Sequence, residues 1–396
     1  MILMSIFVIP LLFIFPIIGF FSLFFDLIYQ KKGYVFILLM AIVLFFWVGL
    51  NYVPDTDSDL VRYFDIVQLD SGYTLNYFYN NLISSGNAIN IVQESLFFFV
   101  SRFNNLQLLP AITTSLVFFS GFFVFLNAKK MTNSSSIFKI LALCTFLSLM
   151  RIDIAAGNVR NISAVSLITI GIISYDMLGK SYFIQLLFFI LGLSMHIGAL
   201  PIVVIKLVID LLYSLYKSKW LIFWGLMVLS AVSFILFIKL GIFDTAIGKF
   251  NEYSTGDVAT SAWFQILQNS IKFKIYKYLI VLYLFFTIFL SWQQYFKFKS
   301  LRKINLFYII TSILTLIFAL VQPGSTFLRY FYLQVLLSSL IIMNHYDRVK
   351  NKDVFILINI FFIAVFLYYQ IYYIGINIDE SKFFKDTFLY PIWFEE

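Results

Sequence analysis

Residues 107–128 read QLLPAITTSLVFFSGFFVFLNA, an apolar run without a charged side chain. A helix of about 20 apolar residues spans the hydrocarbon core of a bilayer, so this stretch predicts a transmembrane helix. Similar runs recur along the chain, which is 61% hydrophobic and 20% aromatic but only 12% charged. Membrane barrels show short alternating segments instead, and the sequence lacks these. The pattern therefore predicts an all-α, polytopic integral membrane protein.

The lengths of the apolar runs, and the polar residues that separate them, predict about twelve transmembrane helices in a single integral membrane domain over residues 1–396. The first run lacks a basic start and a cleavage site, so we interpret it as a retained span and not as a signal peptide. The predicted spans are Met4–Phe25, Tyr34–Val53, Gln107–Ala128, Ile137–Met150, Val159–Leu178, Tyr182–Met195, Ile197–Tyr216, Trp220–Ile238, Tyr276–Phe296, Ile304–Val321, Phe327–Asn344 and Val354–Ile374.

Two longer connections separate groups of spans. Residues 54–106 form a predicted outer acidic loop, and their apolar stretch Leu96–Val100 is too short to span, which favours an interfacial or re-entrant helix. Residues 243–275 form a second predicted outer loop. The sixth and seventh spans fit the alternation of sides only if the chain turns at His196.

Basic residues orient the predicted bundle. The formal net charge is +8, and Lys and Arg gather in loops that alternate along the chain. Such loops face the cytoplasm in most membrane proteins, which puts the acidic loop and both termini outside. The same distribution accounts for the positive charge without nucleic acid, and no basic tract with interleaved aromatic residues supports nucleic-acid binding. The single cysteine, Cys144, allows neither an internal disulfide nor a cysteine zinc site.

The densest group of carboxylates lies directly after the second span, at Asp55, Asp57 and Asp59. A helix that starts here would bring Arg62 and Tyr63 close to them. One interpretation is a sugar-phosphate or metal site at the outer mouth. The other is a solvated loop that starts a helix, because Asp near a helix N-terminus is favourable as a cap and electrostatically.

His196 lies between apolar helices at the predicted outer edge, while the only other histidine, His345, lies in a cytoplasmic loop. Imidazole titrates near neutrality, so His196 is a candidate acid, base or hydrogen-bond donor. The alternative is a buried histidine bonded to a backbone carbonyl. No second histidine or cysteine is predicted outside, which disfavours a zinc site.

Arg160 and Arg329 each lie at the outer start of a predicted span. An arginine in a helix is costly in lipid, and guanidinium binds phosphate or carboxylate through two parallel bonds. We therefore expect the two arginines to grip a diphosphate, with snorkelling to the interface or a structural ion pair as the alternative. Arg151 is a further candidate, which pairing with Asp153 would explain equally well.

Lys206 and Asp210 are four residues apart inside a predicted span, so they can meet on one helix face. An ion pair within the membrane is a functional candidate. The sequence favours the structural alternative, in which the two opposite charges cancel and lower the cost of inserting the helix into the membrane.

Four short motifs occur in an order that resembles a known family. They are the acidic loop with Asp57, Asp59 and Tyr63, then Asn158-Val159-Arg160-Asn161-Ile162-Ser163-Ala164, then Leu193-Ser194-Met195-His196-Ile197-Gly198-Ala199-Leu200, and then Phe327-Leu328-Arg329-Tyr330-Phe331. This order resembles the Wzy-type O-antigen and capsule polysaccharide polymerases and the related EpsG-like exopolysaccharide polymerases. Glu94-Ser95-Leu96-Phe97 is similar to that family's Glu-led helix. The chain departs from the family at Asn161, where a glutamine is frequent.

The resemblance implies a membrane glycosyltransferase fold of the GT-C type. It implies that a growing glycan passes from one undecaprenyl diphosphate carrier to a new repeat unit on another, at the outer face of the bacterial inner membrane. It also implies a chain-length regulator in the membrane as a partner. The predicted catalytic residues are Asp59, Arg160, His196 and Arg329, and the predicted substrate-binding residues are Asp57, Arg62, Tyr63, Glu94, Arg151 and Tyr330.

In this scheme Arg160 and Arg329 hold the donor diphosphate and stabilise the charge of the leaving group. Asp59 or His196 removes the proton from the acceptor hydroxyl, and Asp57 supports it. No cofactor or metal is expected, although an aspartate-bound Mg²⁺ or Mn²⁺ stays open. The alternative functions are an O-antigen ligase, which shares the donor chemistry, and a lipid-linked oligosaccharide flippase or transporter.

Overall fold

A computed structural model of the protein describes residues 16–30, 33–54, 58–84, 87–132, 134–216, 269–321, 326–345, 352–377, 383 and 385–389. These residues form helices and connections, with no strand among them, so the all-α prediction is confirmed for this part of the chain. The α-helices are α1 (Pro16–Tyr29), α2 (Tyr34–Leu50), α3 (Asp59–Ser71), α4 (Leu75–Ser84), α5 (Ile91–Ser101), α6 (Leu108–Met131), α7 (Ser136–Leu149), α8 (Ile152–Gly157), α9 (Val159–Asp176), α10 (Tyr182–Met195), α11 (Leu200–Tyr216), α12 (Ile271–Lys297), α13 (Arg302–Val321), α14 (Thr326–His345) and α15 (Lys352–Asn377).

Six helical stretches among the described residues are long and apolar enough to cross a membrane. They are Leu108–Met131, Ile197–Leu215, Ile271–Lys297, Lys299–Leu320, Phe327–Asn344 and Lys352–Gly375. The other predicted spans coincide with shorter helices as far as they are described, and Trp220–Ile238 lies outside the described residues. The chain is therefore a membrane-type helical protein.

The predicted outer acidic loop contains more regular structure than the sequence indicated. Residues 59–84 and 87–101 fold into α3, α4, a 3₁₀ turn at Asn87–Asn90, and α5. The apolar stretch Leu96–Val100 lies within α5, as expected, and α3 is the helix predicted to start at the acidic residues, whereas α4 was not anticipated. Most of the second predicted outer loop, residues 243–268, lies outside the described residues, and α12 begins at Ile271.

The chain divides into two compact units, Met1–Ala199 with Val335–Glu396, and Leu200–Gln334. In the first unit α2 packs along α6, and α7 packs along α15. Phe45 stacks on Phe118 at 3.7 Å between ring centroids, and Phe138 stacks on Phe355 at 5.3 Å. Close aromatic packing therefore holds these helices together.

An antiparallel hairpin of α9 and α10 supports the candidate site in the first unit. A Cβ on Gly192 would lie 2.7 Å from Ile168 Cγ1, and a Cβ on Gly171 would lie 2.8 Å from Phe188 Cβ. Small residues at these positions let the two helices approach closely. In this antiparallel register, the first turn of α9 lies level with the end of α10.

The second unit contains a hairpin of α12 and α13, with α11 packed on α13. Asp210 of α11 accepts hydrogen bonds from Lys206 on the same helix and from Lys303 of α13, the latter at 2.6 Å. Lys206 and Asp210 are buried. The predicted intrahelical pair is confirmed, and Lys303 makes it a three-residue cluster that ties α11 to α13.

Candidate functional site

The centre of the candidate site is a contact between Arg160 and Tyr63. Arg160 Nε donates a hydrogen bond to the Tyr63 hydroxyl oxygen at 2.7 Å. Arg160 lies in the first turn of α9 and Tyr63 in the second turn of α3. The Tyr63 ring is buried against Phe97 of α5, with ring centroids 5.3 Å apart. Two residues that the sequence singled out separately are thus held together by α3, α5 and α9.

This contact also positions the charge of Arg160. Its Cζ atom lies 5.2 Å from the centroid of the Tyr63 ring, within the range of a cation–π interaction. The hydrogen bond to Tyr63 uses Nε, while guanidinium carries four further N–H groups on its two terminal nitrogens. A planar donor set of this kind is suited to two parallel bonds to a phosphate.

Glu94 on α5 is the third predicted residue of this cluster. Burial raises the pKa of the half-buried Glu94 carboxyl, the negative charge of Asp70 raises it further, and the positive charge of Arg160 lowers it. Gln93 donates a hydrogen bond to Glu94 Oε1 at 3.1 Å. An acceptor carboxyl and a donor guanidinium therefore lie within electrostatic range of each other.

Asp70 is a member of the cluster that sequence reasoning missed. It is only 7% exposed, and its Oδ2 atom has no hydrogen-bond partner among the described residues. Burial raises the pKa of Asp70 to about 6, against the smaller lowering effect of Arg102. Arg102 donates a hydrogen bond to the backbone carbonyl of Asp70 and not to its carboxylate.

A signal for Asp70 was present in the helical periodicity. The buried residues of α3 are Leu60, Tyr63, Val67 and Asp70, which recur at the spacing of one helix face. An aspartate on an otherwise apolar stripe is unusual because a buried carboxylate needs a partner or a proton. The charged residues of α3 that the sequence singled out, Asp59 and Arg62, lie on its exposed side instead.

His196 lies at the break that the sequence predicted. Helix α10 ends at Met195, His196 has extended backbone angles, and a 3₁₀ turn at Ile197–Ala199 leads into α11. A Cβ on Gly198 would lie 2.4 Å from His196 Nε2, so the imidazole rests against a position that only glycine leaves open. The 3₁₀ turn contacts α9, and the hairpin register brings His196 to the end of α9 that carries Arg160.

Asp59 and Arg62 lie on the opposite, solvent-facing side of α3. They form an ion pair one helical turn apart, with side chains that are 57% and 74% exposed. An exposed pair of this kind contributes little to stability. Asp59 lies in the first turn of α3, as the helix-starting interpretation requires, and Asp57 lies outside the described residues.

Arg151 is placed in a buried ion pair with Asp153. Its Nε donates to Asp153 Oδ1 at 3.0 Å, and its Cζ atom lies 3.5 Å from the centroid of the Tyr373 ring. Arg151 is 6% exposed. These contacts match the structural alternative that the sequence left open, so the site we propose does not include Arg151.

Arg329 and Tyr330 belong to the second compact unit, at the start of α14. Tyr330 stacks on Phe318 of α13, with centroids 4.9 Å apart and rings 6° from parallel. Arg329 is half-buried. The role of Arg329 in holding a diphosphate stays a prediction.

Within the described ranges no three His, Cys, Asp or Glu side chains gather closely enough to hold a metal ion. Asp55 and Asp57, the other carboxylates of the acidic loop, lie outside those ranges. The chemistry available in the described cluster is thus that of a guanidinium, a phenol, two carboxyls and a nearby imidazole.

Comparisons with family models, with curated proteins and with solved structures find no match for this chain. The resemblance to the Wzy-type polymerases therefore stays a prediction carried by the four motifs and their order. The hydrogen bond between Arg160 and Tyr63 is an observation that does not depend on this resemblance.

Proposed function

We propose that this protein is a polymerase of polyprenyl-diphosphate-linked oligosaccharide repeat units. The observation that carries the proposal is the hydrogen bond between Tyr63 and Arg160, which come from separate segments and were each selected from the sequence for substrate contact. Glu94, from a third segment, lies within electrostatic range of Arg160. A phosphate-binding guanidinium beside a carboxyl supplies the two groups that transfer of a glycan from a diphosphate needs.

Arg160 is the proposed ligand for the donor diphosphate, and the motif resemblance assigns the same role to Arg329. Both would stabilise the negative charge that develops on the leaving diphosphate, which is an electrostatic form of catalysis. His196 and Asp59 are candidate proton acceptors from the motifs. The half-buried position of Arg160 supports its role, because a guanidinium binds an anion more strongly where water is partly excluded.

The proposal includes a location and a topology. Twelve spans of a GT-C-type membrane glycosyltransferase would place the cluster at the outer face of the bacterial inner membrane, facing the periplasm or exterior. The six long apolar helices support a membrane location, and the alternation of basic loops supports the orientation. A donor and an acceptor with lipid tails would then reach the site from the bilayer.

The cellular test is a glycan ladder on a gel, from cells that lack the gene and from the same cells complemented with wild type or variants. A surface lipid that carries a single repeat unit in the deletion, and a ladder restored by wild type, are the results expected of a polymerase. Loss of all surface glycan, including the single unit, would indicate a ligase or a flippase instead.

Two arginine variants sharpen the test of the site. Arg160→Ala should abolish the ladder, and Arg160→Lys should not restore it, because lysine keeps the charge but cannot donate from Nε to Tyr63 while binding phosphate through two bonds. Asp65→Asn is the matched control, since Asp65 is an exposed residue of α3 outside the cluster. An intact ladder with Arg160→Ala would remove Arg160 from the mechanism.

A further inference from the structure

The outward face of α12, in the second unit, is a continuous apolar stripe. Its exposed side chains recur every three or four residues, the spacing of one helix face, at Tyr278, Leu282, Phe285, Phe289, Trp292 and Phe296. At 1.5 Å per residue the stripe is about 27 Å long, close to the roughly 30 Å of the hydrocarbon core of a bilayer. An exposed apolar surface of this extent on a membrane-type helix is suited to contact with lipid chains.

The stripe ends in a group of basic residues, where the chain turns from α12 into α13. Lys297 and Lys299 are exposed, and Arg302 is half-buried. We call these three residues the basic end of the hairpin. The rings of Trp292 and Phe296 form the last turn of the stripe next to it, with centroids 5.1 Å apart. Tryptophan is enriched at the level of the lipid headgroups, so the basic end lies where a headgroup would be.

Arg302 is held in place across the turn of the hairpin. Its Nε atom donates a hydrogen bond to the backbone carbonyl of Tyr295 at 3.1 Å, and its Cζ atom lies 6.0 Å from the centroid of the Tyr295 ring. The bond satisfies a carbonyl of the last turn of α12, which has no partner within the helix. A guanidinium that is held through Nε can still donate two parallel bonds to a phosphate from its terminal nitrogens.

Acidic residues are scarce around the basic end. The sequence contains no Asp or Glu between Asp257 and Asp347. Among the described residues of the second unit Asp210 is the one acid, and its side chain is only 2% exposed. Asp210 accepts hydrogen bonds from Lys206 and Lys303, which ties α11 to α13 in the interior. The described surface of this unit is therefore positively charged where the stripe ends.

We propose that the apolar stripe of α12 and the basic end of the hairpin together bind an anionic glycerophospholipid. The phosphate lies at Lys297, Lys299 and Arg302, and the acyl chains lie along Phe289 and Trp292. Charge complementarity selects an anionic lipid, because the headgroup of a zwitterionic lipid carries an ammonium that offsets its phosphate. The inference does not depend on the polymerase proposal and concerns a different surface.

The size of the expected preference follows from the charges. One Lys or Arg near an anionic membrane surface strengthens binding about fivefold, equivalent to about 1 kcal/mol. The basic end contains three such residues, but a lipid with a single negative charge does not add their contributions in full. We therefore expect the site to prefer phosphatidylglycerol over phosphatidylcholine by at least about fivefold.

The test uses Trp292 as a reporter in the purified full-length protein. The protein is reconstituted in phosphatidylcholine bilayers that contain an increasing fraction of brominated phosphatidylglycerol or brominated phosphatidylcholine. Bromine quenches a tryptophan that it contacts, and the difference between wild type and Trp292→Phe isolates the signal of Trp292. Half-maximal quenching should require at least about fivefold less brominated phosphatidylglycerol than brominated phosphatidylcholine.

Variants of the basic end should remove the preference and keep the contact with lipid. In the double variant Lys297→Gln with Lys299→Gln, both side chains are exposed, so the fold should be retained and the preference should fall several-fold. Adding Arg302→Gln should make the two brominated lipids equally effective. Lys274→Gln is the matched control, because Lys274 is also exposed on α12 but lies about 27 Å along the helix from Trp292. It should keep the wild-type preference.

Three results would contradict the proposal. Equal quenching of wild-type Trp292 by both lipids would show that the basic end selects no anionic lipid. A preference that persists in the triple variant would place the selective site elsewhere. Little quenching by either lipid would show that another protein surface, such as a second copy of the chain, covers the stripe. None of these measurements requires polymer formation, so failure of this proposal is distinct from failure of the polymerase proposal.

Discussion

Removal of one oxygen atom, in Tyr63→Phe, isolates the hydrogen bond at the centre of the candidate site. Phenylalanine keeps the ring that packs on Phe97 and lies under the Arg160 guanidinium. Only the hydroxyl that accepts the 2.7 Å bond from Arg160 Nε is lost. The variant should therefore fold normally and leave Arg160 present but no longer fixed in orientation.

The size of the effect follows from the type of bond. A hydrogen bond to a charged group contributes about 1.5–3 kcal/mol, and Arg160 is half-buried, which favours the lower end because water competes for the guanidinium. About 1.5 kcal/mol of lost transition-state stabilisation lowers kcat/KM roughly tenfold. We expect the loss mainly in kcat, since the orientation of Arg160 matters most as the diphosphate leaves.

The assay is the rate of polymer formation by purified protein with lipid-linked glycan extracted from cells that lack the gene. Tyr73→Phe is the matched control, because Tyr73 lies in the same outer segment and its ring contacts Tyr77 rather than an arginine. A Tyr63→Phe rate within twofold of wild type, with Tyr73→Phe equally active, would show that the Arg160–Tyr63 bond has no part in the reaction.

Three further predictions concern the fold. Burial raises the pKa of Asp70 from 3.8 to about 6, so the stability that its neutral form contributes is full below pH 3.8 and is lost as pH rises through about 6. Asp70→Asn should remove this loss of about 3 kcal/mol, which melting temperatures between pH 4 and pH 8 would detect, while the exposed control Asp65→Asn should follow wild type. Gly49→Ala should lower the melting temperature sharply, because its Cβ would lie 2.5 Å from backbone atoms of α6, whereas the same change at Gly72 meets nothing closer than 3.7 Å. Asp210→Ala should destabilise the second unit by about 3–5 kcal/mol, since it leaves a buried lysine without its carboxylate, and an unchanged melting temperature would contradict this.

Hydrophobic runs and residue spacing in the sequence correctly predicted structural features that depend only on residues close together in the chain. The helix Tyr182–Met195 has the predicted bounds, and the chain turns at His196, because apolar length and the need to alternate sides both act locally. The pairing of Lys206 with Asp210 followed from a spacing of one helical turn.

Tertiary contacts could not be obtained in this way. Lys303 joins Asp210 from a helix that is distant in sequence, and no spacing indicates that contact. Asp70 lay on the buried stripe of α3, but only the packing of α3 beside Glu94 makes it an electrostatic partner of the site. The sequence selected Tyr63 and Arg160 individually, and their hydrogen bond required the arrangement of α3 and α9.

The most direct test of the polymerase proposal is a reaction with defined components. Purified protein in liposomes would receive lipid-linked repeat units extracted from the deletion strain, and the products would be separated by chain length. We expect lipid-linked chains of increasing length together with released polyprenyl diphosphate, and no such products with Arg160→Ala. Repeat units that stay single in the presence of folded wild-type protein would contradict it.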